Sequence, residues 1–360
     1  MNAARRHTSP AALMMKAILA ICLLAFAATG MADMITNPPV PTAGAGPLPI
    51  SQVIAHDPVI ARQNGIYYLF TTGPGCTIWT SPDMKMWTLS GRVYPDRPSW
   101  ASKSVPKFNG HLWGPDISFY NGTYYLYFAV SAFGANLSCI GLATNTTLDP
   151  KDPAYHWVDH GILLQSFPGK DDWNAIDPQL IVDDNGQPYL AFGSFWSGLK
   201  LARLAPDRMS IDDTPQDYTS LASRKRILPA GINSPLVKGD RAIEGTFIYK
   251  HGGYYYLFAS IGYCCRGPLS TYRMIYGRSK SVKGPYLDAA GAPLLQGGGT
   301  LLLKGDNHWY GVGGNSVYNF DGTDYLVFHG YDASMKAALP KLRIEVLNWN
   351  KDGWPVVAAH

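Results

Sequence analysis

The chain has 360 residues, 46% hydrophobic and 16% charged, proportions that exclude a disordered or low-complexity protein. Its formal net charge is +4, and Arg5, Arg6 and Lys16 lie in an N-terminal leader, so the remainder is near neutral, with no basic stripe to track nucleic acid. The counts of Tyr (22), Trp (10) and Gly (37) suit a protein of strands and tight turns.

In chain order, residues 1–32 read as a signal peptide: early positive charge, an apolar run from Ala17 to Ala28, then small residues from Gly30 to Ala32. The run is too short to span a bilayer. Export to the cell exterior or periplasm follows, with no membrane attachment after cleavage. Residues 33–50, rich in Pro, Gly and Ala, read as a linker.

From residue 51 to 360 one pattern returns five times. An acidic or amide residue opens an apolar strand, and a Gly-centred turn leads to a second strand rich in Tyr and Phe. The copies run Asp57 to Phe70, Asp116 to Phe128, Asp177 to Phe192, Glu244 to Phe258 and Asn315 to Phe328, their starts 59 to 71 residues apart. That period fits one four-stranded blade, and one blade cannot bury both faces without neighbours. The sequence therefore predicts an all-β protein, a five-bladed β-propeller forming one domain over 51–360. Tyr67, Tyr68, Tyr124, Tyr255 and Tyr256 fall inside blade strands and read as core.

Outside the leader, which holds Cys22, the cysteines are Cys76, Cys139, Cys264 and Cys265, and no pair has metal-finger spacing. A bridge between the adjacent Cys264 and Cys265 is a strained one. At most one disulfide is expected, its pairing open.

The inner strands of a propeller begin near one end of its channel, so side chains at matching positions converge there. Asp57 stands in VIAHDPVI, before a Pro58 that belongs at a strand's start. Asp177 repeats this signature in NAIDPQLIV, and Glu244 follows in RAIEGTFIY. Three acids at matching positions would crowd one site, raising some pKa values and leaving others low, as acid and base roles require. Asp116, in LWGPDISFY, is a fourth acid but follows its proline, and reads as a strand-to-strand hydrogen-bonding residue. Asn315 cannot do acid–base work. Trp113, Phe133, Trp173, Phe195 and Trp196 could pack on sugar faces, with Asn174 and Ser194 holding hydroxyls. Packing between blades is the equal alternative for each aromatic. Acids with aromatics at a channel mouth point to glycoside cleavage, inverting or retaining according to a carboxyl separation that sequence does not give.

The ordered segments HDPVI, LWGPDIS, SAFGANLSCIGLATN, NAIDPQL, GSFWSGLK, AIEGTFIY, YCCRGPLSTYRMIYGRSKSVKGPY and GGNSV extend from about residue 50 to the C-terminus. Together they resemble the endo-1,5-α-L-arabinanases of glycoside hydrolase family 43. The resemblance implies an inverting enzyme that cuts internal α-1,5 bonds of linear arabinan and needs no cofactor for its chemistry. It makes Asp57 the general base, Glu244 the general acid, and Asp177 the residue that orients the acid and holds up its pKa. It places Gly134, Asn174, Ala175, Ile176, Asp177, Ser194, Phe195 and Trp196 along the sugar subsites, beside Asp57. Its partners are arabinan and arabino-oligosaccharides, and a monomer is the default.

One departure concerns metal. Many bacterial relatives carry a His in a GPGHNSV-type segment that helps hold an ion near the channel axis. This chain reads GVGGNSV, with Gly314 in that place. No metal ligand is predicted, and a structural calcium ion would have to rest on water and other groups. His329, in FHGYD, could compensate, although an ordinary partly buried histidine is the simpler reading. The competing functions are an exo-acting arabinanase or xylan-directed enzyme of the same family, a non-catalytic carbohydrate-binding propeller, and a structural or protein-binding one.

Overall fold

In each repeat the two apolar runs pair as an antiparallel hairpin. Four of the five turns are two residues long, Asn64-Gly65, Asn121-Gly122, Gly252-Gly253 and Asp321-Gly322, with positive φ at both positions. That is the type I′ twist, which matches the twist of paired strands and favours Asn, Asp and Gly. The exception joins Gln179–Val182 to Pro188–Phe192 by a longer loop, where the Asp183 carboxylate accepts the N–H groups of Asn185 and Gln187, each at 2.9 Å.

The structure is a computed structural model and describes residues 46–224, 242–335 and 339–358. The expected signal peptide and most of the expected linker lie outside them. Each hairpin is continued by two further antiparallel strands, giving five sheets. The innermost strands are Val59–Gln63, His111–Tyr120, Gln179–Val182, Ile243–His251 and Trp309–Phe320, and each touches the next around a closed ring. The architecture is the expected five-bladed β-propeller.

The blades begin earlier than the composition suggested. Leu48–Pro49, inside the stretch read as linker, pairs with Met86 and Trp87 as the outermost strand of blade one. An edge strand has one side free of ladder bonds, so a proline without an N–H is tolerated there. The ring is closed by the next few residues. Ala55 N–H donates to Pro340 O at 3.1 Å and Leu342 N–H to Val53 O at 3.0 Å, stitching the N-terminal chain to the third strand of blade five.

The Tyr/Phe strands explain the core. Successive side chains on a strand face opposite ways, and every blade has a neighbour on both faces. Tyr68 and Phe70 enter the cluster shared by blades one and two, while Tyr67 and Leu69 enter the one shared by blades five and one. Tyr125 and Tyr127 face blade three, Tyr189 and Ala191 face blade four, and Tyr256 and Phe258 face blade five. Five apolar clusters thus fill the five seams. Tyr67, Tyr68, Tyr124, Tyr255 and Tyr256 are all buried, as expected.

Candidate active site

At the head of every inner strand one residue adopts a left-handed conformation: Asp57 (φ 47°), Gly114 (45°), Asp177 (54°), Gly245 (65°) and Gly314 (58°). With the residues that follow, they line the narrow central channel. This register corrects the one inferred from the acids alone. Asp57 and Asp177 occupy the left-handed position itself. Glu244 stands one residue earlier, level with His56 and Ile176. Asp116 stands two residues later and Asn315 one later. The physical reason is backbone strain: Asp tolerates the left-handed region as few side chains do. A glutamate does not, so Glu244 precedes a glycine that takes the turn. The three acids still open on one cleft of about 520 Å³.

Their environments differ. The Asp57 carboxylate is 22% exposed; it accepts from His56 Nδ1 and from Thr72 Oγ1, each at 2.8 Å. Burial pushes its pKa up, but His56 and the Thr72 hydroxyl outweigh that and bring it down to about 2. Glu244 is buried, and burial, with the Asp57 charge behind it, raises its pKa against the hydrogen bond that Ser194 Oγ donates to Oε2 at 2.7 Å. Asp177 is raised further, by burial and then by Glu244 and Asp57. Its Oδ2 accepts the N–H of Gly245 at 2.8 Å, which ties it to the residue beside Glu244. The cleft therefore holds one carboxylate that stays ionised and two carboxyls that resist ionisation. Asp116 lies outside it: its Oδ2 accepts the Leu180 N–H of the next blade at 2.8 Å, the strand-to-strand role read from sequence.

Gly134, Asn174, Ile176, Ser194, Phe195 and Trp196 line the cleft with Trp113 and Phe133. Trp113 and Phe133 meet edge to face at 6.2 Å. Phe195 and Trp196 both have positive φ, 53° and 34°, and are held by the bond from Phe195 N–H to Ile243 O at 2.8 Å. Strain of this kind in bulky residues is kept where surrounding structure imposes it, often beside a ligand. Two expectations move. Ala175 is fully buried, its N–H given to Ser166 Oγ at 3.0 Å, and Trp173 packs on Phe192 and Tyr218 between blades. Sequence reasoning missed His56, Thr72, Tyr263, Arg266 and Tyr272 as cleft residues. His56 could have been found, since it adjoins Asp57; the others arrive from loops whose path the repeat does not specify. Cys264 and Cys265 also line the cleft and are bridged to each other, whereas Cys76 and Cys139 are free and buried.

Residues 47–355 match the family model described as glycosyl hydrolases family 43. The chain belongs to that family. A family relative 49% identical over 306 residues, covering 85% of this chain and 87% of the relative, is an extracellular exo-α-(1→5)-L-arabinofuranosidase, ArbA, of Cellvibrio japonicus. An extracellular endo-α-(1→5)-L-arabinanase of Bacillus subtilis is 38% identical, covering 85% of this chain and 88% of its own. Among solved structures, the Cellvibrio cellulosa α-L-arabinanase complexed with arabinohexaose superposes with a TM-score of 0.79 at 48% identity, covering 85% of this chain and 96% of that one. An exo-1,5-α-L-arabinanase from a bovine ruminal metagenomic library gives 0.78 at 42% identity, covering 89% and 100%. This family-43 protein is a glycoside hydrolase that degrades arabinan.

The axial ion of the family's bacterial members does not fit the residues here. His56, Asp57 and His329 bring three ligand atoms within 4.8 Å of one another. Both nearby ring nitrogens are already committed to Asp57, however. His56 Nδ1 bonds its carboxylate, and His329 Nδ1 accepts its backbone N–H at 3.2 Å. His329 is fully buried and stacks on His56 at 3.8 Å, and burial drives its pKa well down, so it is neutral. A side chain at Gly314 would collide with Asp57 Oδ1 and lie 2.9 Å from His329 Nδ1. His329 compensates for the missing ligand as a hydrogen-bond acceptor that fixes Asp57.

Proposed function

We propose that the protein is an exported, inverting arabinanase that acts on linear α-1,5-linked L-arabinofuranosyl chains and removes short products from one end. The observation that carries this reading is the split among three carboxyls in one cleft: Asp57 low, Glu244 and Asp177 high. Asp57 takes a proton from water, whose oxygen attacks the anomeric carbon. The bond to the glycosidic oxygen breaks as that oxygen takes the Glu244 proton. Asp177 orients the acid through the Gly245 N–H, and its own pKa is raised by burial and then by the neighbouring Glu244 and Asp57. Phe133, Phe195 and Trp196 offer apolar faces to the sugar rings, and Asn174, whose Oδ1 is buried without a partner, offers an acceptor to a hydroxyl.

Action from a chain end is favoured over internal cleavage because the relatives at 49% and 42% identity carry exo names, whereas the Bacillus subtilis enzyme named endo stands at 38%. The loop motif GYCCRGPLSTYR favours an arabinanase over the xylan-directed members of the family and does not bear on the point of cleavage. Export is supported by the leader in residues 1–32 and by the two curated relatives named extracellular. Hydrolysis of debranched arabinan, with products separated by size over time, tests the reading. One short product from the first minutes is expected. An early ladder of mixed oligosaccharides would replace exo with endo action, and no product would move the protein to the carbohydrate-binding class.

A further inference from the structure

The cleft contains a group that glycoside hydrolysis does not use. The bridged Cys264 and Cys265 are half-buried in its wall, one sulfur against Glu244 and the other against His56, the neighbour of Asp57. Cys264 Sγ is 3.8 Å from Glu244 Oε1, and Cys265 Sγ is 3.5 Å from His56 Nε2. His56 directs its Nδ1 proton at the Asp57 carboxylate, 2.8 Å away. Its Nε2 faces the Cys265 sulfur and the Tyr331 hydroxyl, 3.2 Å away. A histidine held by a carboxylate through one nitrogen, with the other free to ligate, is how proteins prepare a metal-binding imidazole. The ring nitrogen and the two sulfurs all lie within 4.8 Å of one another. Bridged sulfurs are poor ligands, whereas two thiolates with an imidazole suit a soft cation.

We propose that reduction of the Cys264–Cys265 bridge opens a soft-metal site made of the two sulfurs and His56 Nε2, and that a zinc- or cadmium-class ion bound there blocks the cleft. A dithiol reductant supplies the two electrons by becoming a disulfide itself, and its two protons pass to the sulfurs. Each proton leaves as its thiolate binds the ion. The Tyr331 hydroxyl loses Nε2 as its acceptor and keeps the Cys265 N–H as a donor at 2.9 Å. The ion then lies beside Glu244 and one residue from Asp57, where a sugar must approach both. The other described cysteines do not compete: both are buried, and burial pushes the Cys139 thiol up to about 12 and Cys76 higher still.

Cadmium is titrated into the purified protein, either as isolated or after phosphine reduction and removal of the reductant without air. The reduced protein is expected to bind one ion per chain with a thiolate-to-cadmium charge-transfer band. Its arabinan hydrolysis should fall at least about tenfold, recovering on chelation. The oxidised protein should show neither effect, and reduced Cys265→Ser should show no band. Equal bands in both redox states, a band that survives in Cys265→Ser, or full activity with the band present would overturn the proposal. The oxidised-against-reduced comparison stands even if the variant does not fold. The band is read without substrate, so failure of the arabinan reading would leave it untouched.

Discussion

At the carboxyl of Glu244 opposing influences meet: burial and the Asp57 charge raise its pKa, and the Ser194 hydroxyl, followed by Tyr272 and His56, lowers it. A hydrogen bond to a charged group contributes about 1.5–3 kcal/mol, which corresponds to roughly one to two pH units at 1.36 kcal/mol each. Ser194→Ala removes the donor that favours the ionised form, so the Glu244 pKa should rise. If Glu244 is the general acid, the alkaline limb of the kcat/KM profile should move to higher pH by about that amount. A limb that stays or moves down would contradict the assignment. If Asp57 is the general base, its pKa of about 2 means that on the acid side activity should fall with unfolding before the base is protonated. Gly314 makes the complementary case for space. Gly314→Ala puts a Cβ at a positive φ against Asp57 Oδ1 and the His329 ring. It should cost about 1–3 kcal/mol of stability and, by displacing Asp57, on the order of tenfold or more in kcat. Wild-type turnover in that variant would show that the fixed position of Asp57 is unimportant.

Among the elements, the inner strands show what sequence could and could not reveal. The hairpins were legible because Asn-Gly, Gly-Gly and Asp-Gly turns between apolar runs specify their own geometry. The meeting of three acids in one cleft was legible too. Their register was not, because the recurring feature is a left-handed backbone residue, and an acid can stand on it, as Asp57 does, or beside it, as Glu244 does. Sequence shows the residue type and not its φ. The loop residues Tyr263, Arg266 and Tyr272 reach the cleft by paths that carry no period. Asp116 tests the strand-to-strand assignment. Its pKa is pushed up to about 7 by burial, against the Leu180 N–H that favours its charge. An acid whose folded pKa exceeds its unfolded value of about 3.9 stabilises the fold fully below that pH, and the contribution is lost as pH rises towards 7. That loss amounts to at most about 4 kcal/mol by the same conversion. Asp116→Asn should abolish this part of the slope and keep near-normal arabinan hydrolysis. A large loss of turnover with an unchanged melting profile would instead make Asp116 part of the chemistry.

For the whole molecule, the closure of the ring matters most, since blades one to four and their loops line the cleft and blade five holds the Asp57 end of it through His329. Val53 is fully buried where blade five meets blade one, among Leu69, Trp79, Trp87, Val327 and Leu342. Its carbonyl also accepts the Leu342 N–H that stitches the ring. Val53→Asp places an unpaired charge in that seam and should destabilise the protein by about 3 kcal/mol or more. The midpoint of denaturant unfolding measures this. An unchanged midpoint would mean that the N-terminal seam contributes little and the propeller holds without it. The composition of residues 33–50 concealed that the seam begins so early, because an edge strand can be built from the same prolines and small residues as a linker.

The most direct test asks whether Glu244 protonates the departing sugar. Glu244→Gln should be compared with the wild type on linear arabinan and on an arabino-oligosaccharide carrying an activated phenolate, which departs without a proton. A general acid at Glu244 predicts a loss of about 10²–10⁴-fold on arabinan and a far smaller one on the aryl substrate. Equal losses on both would contradict it.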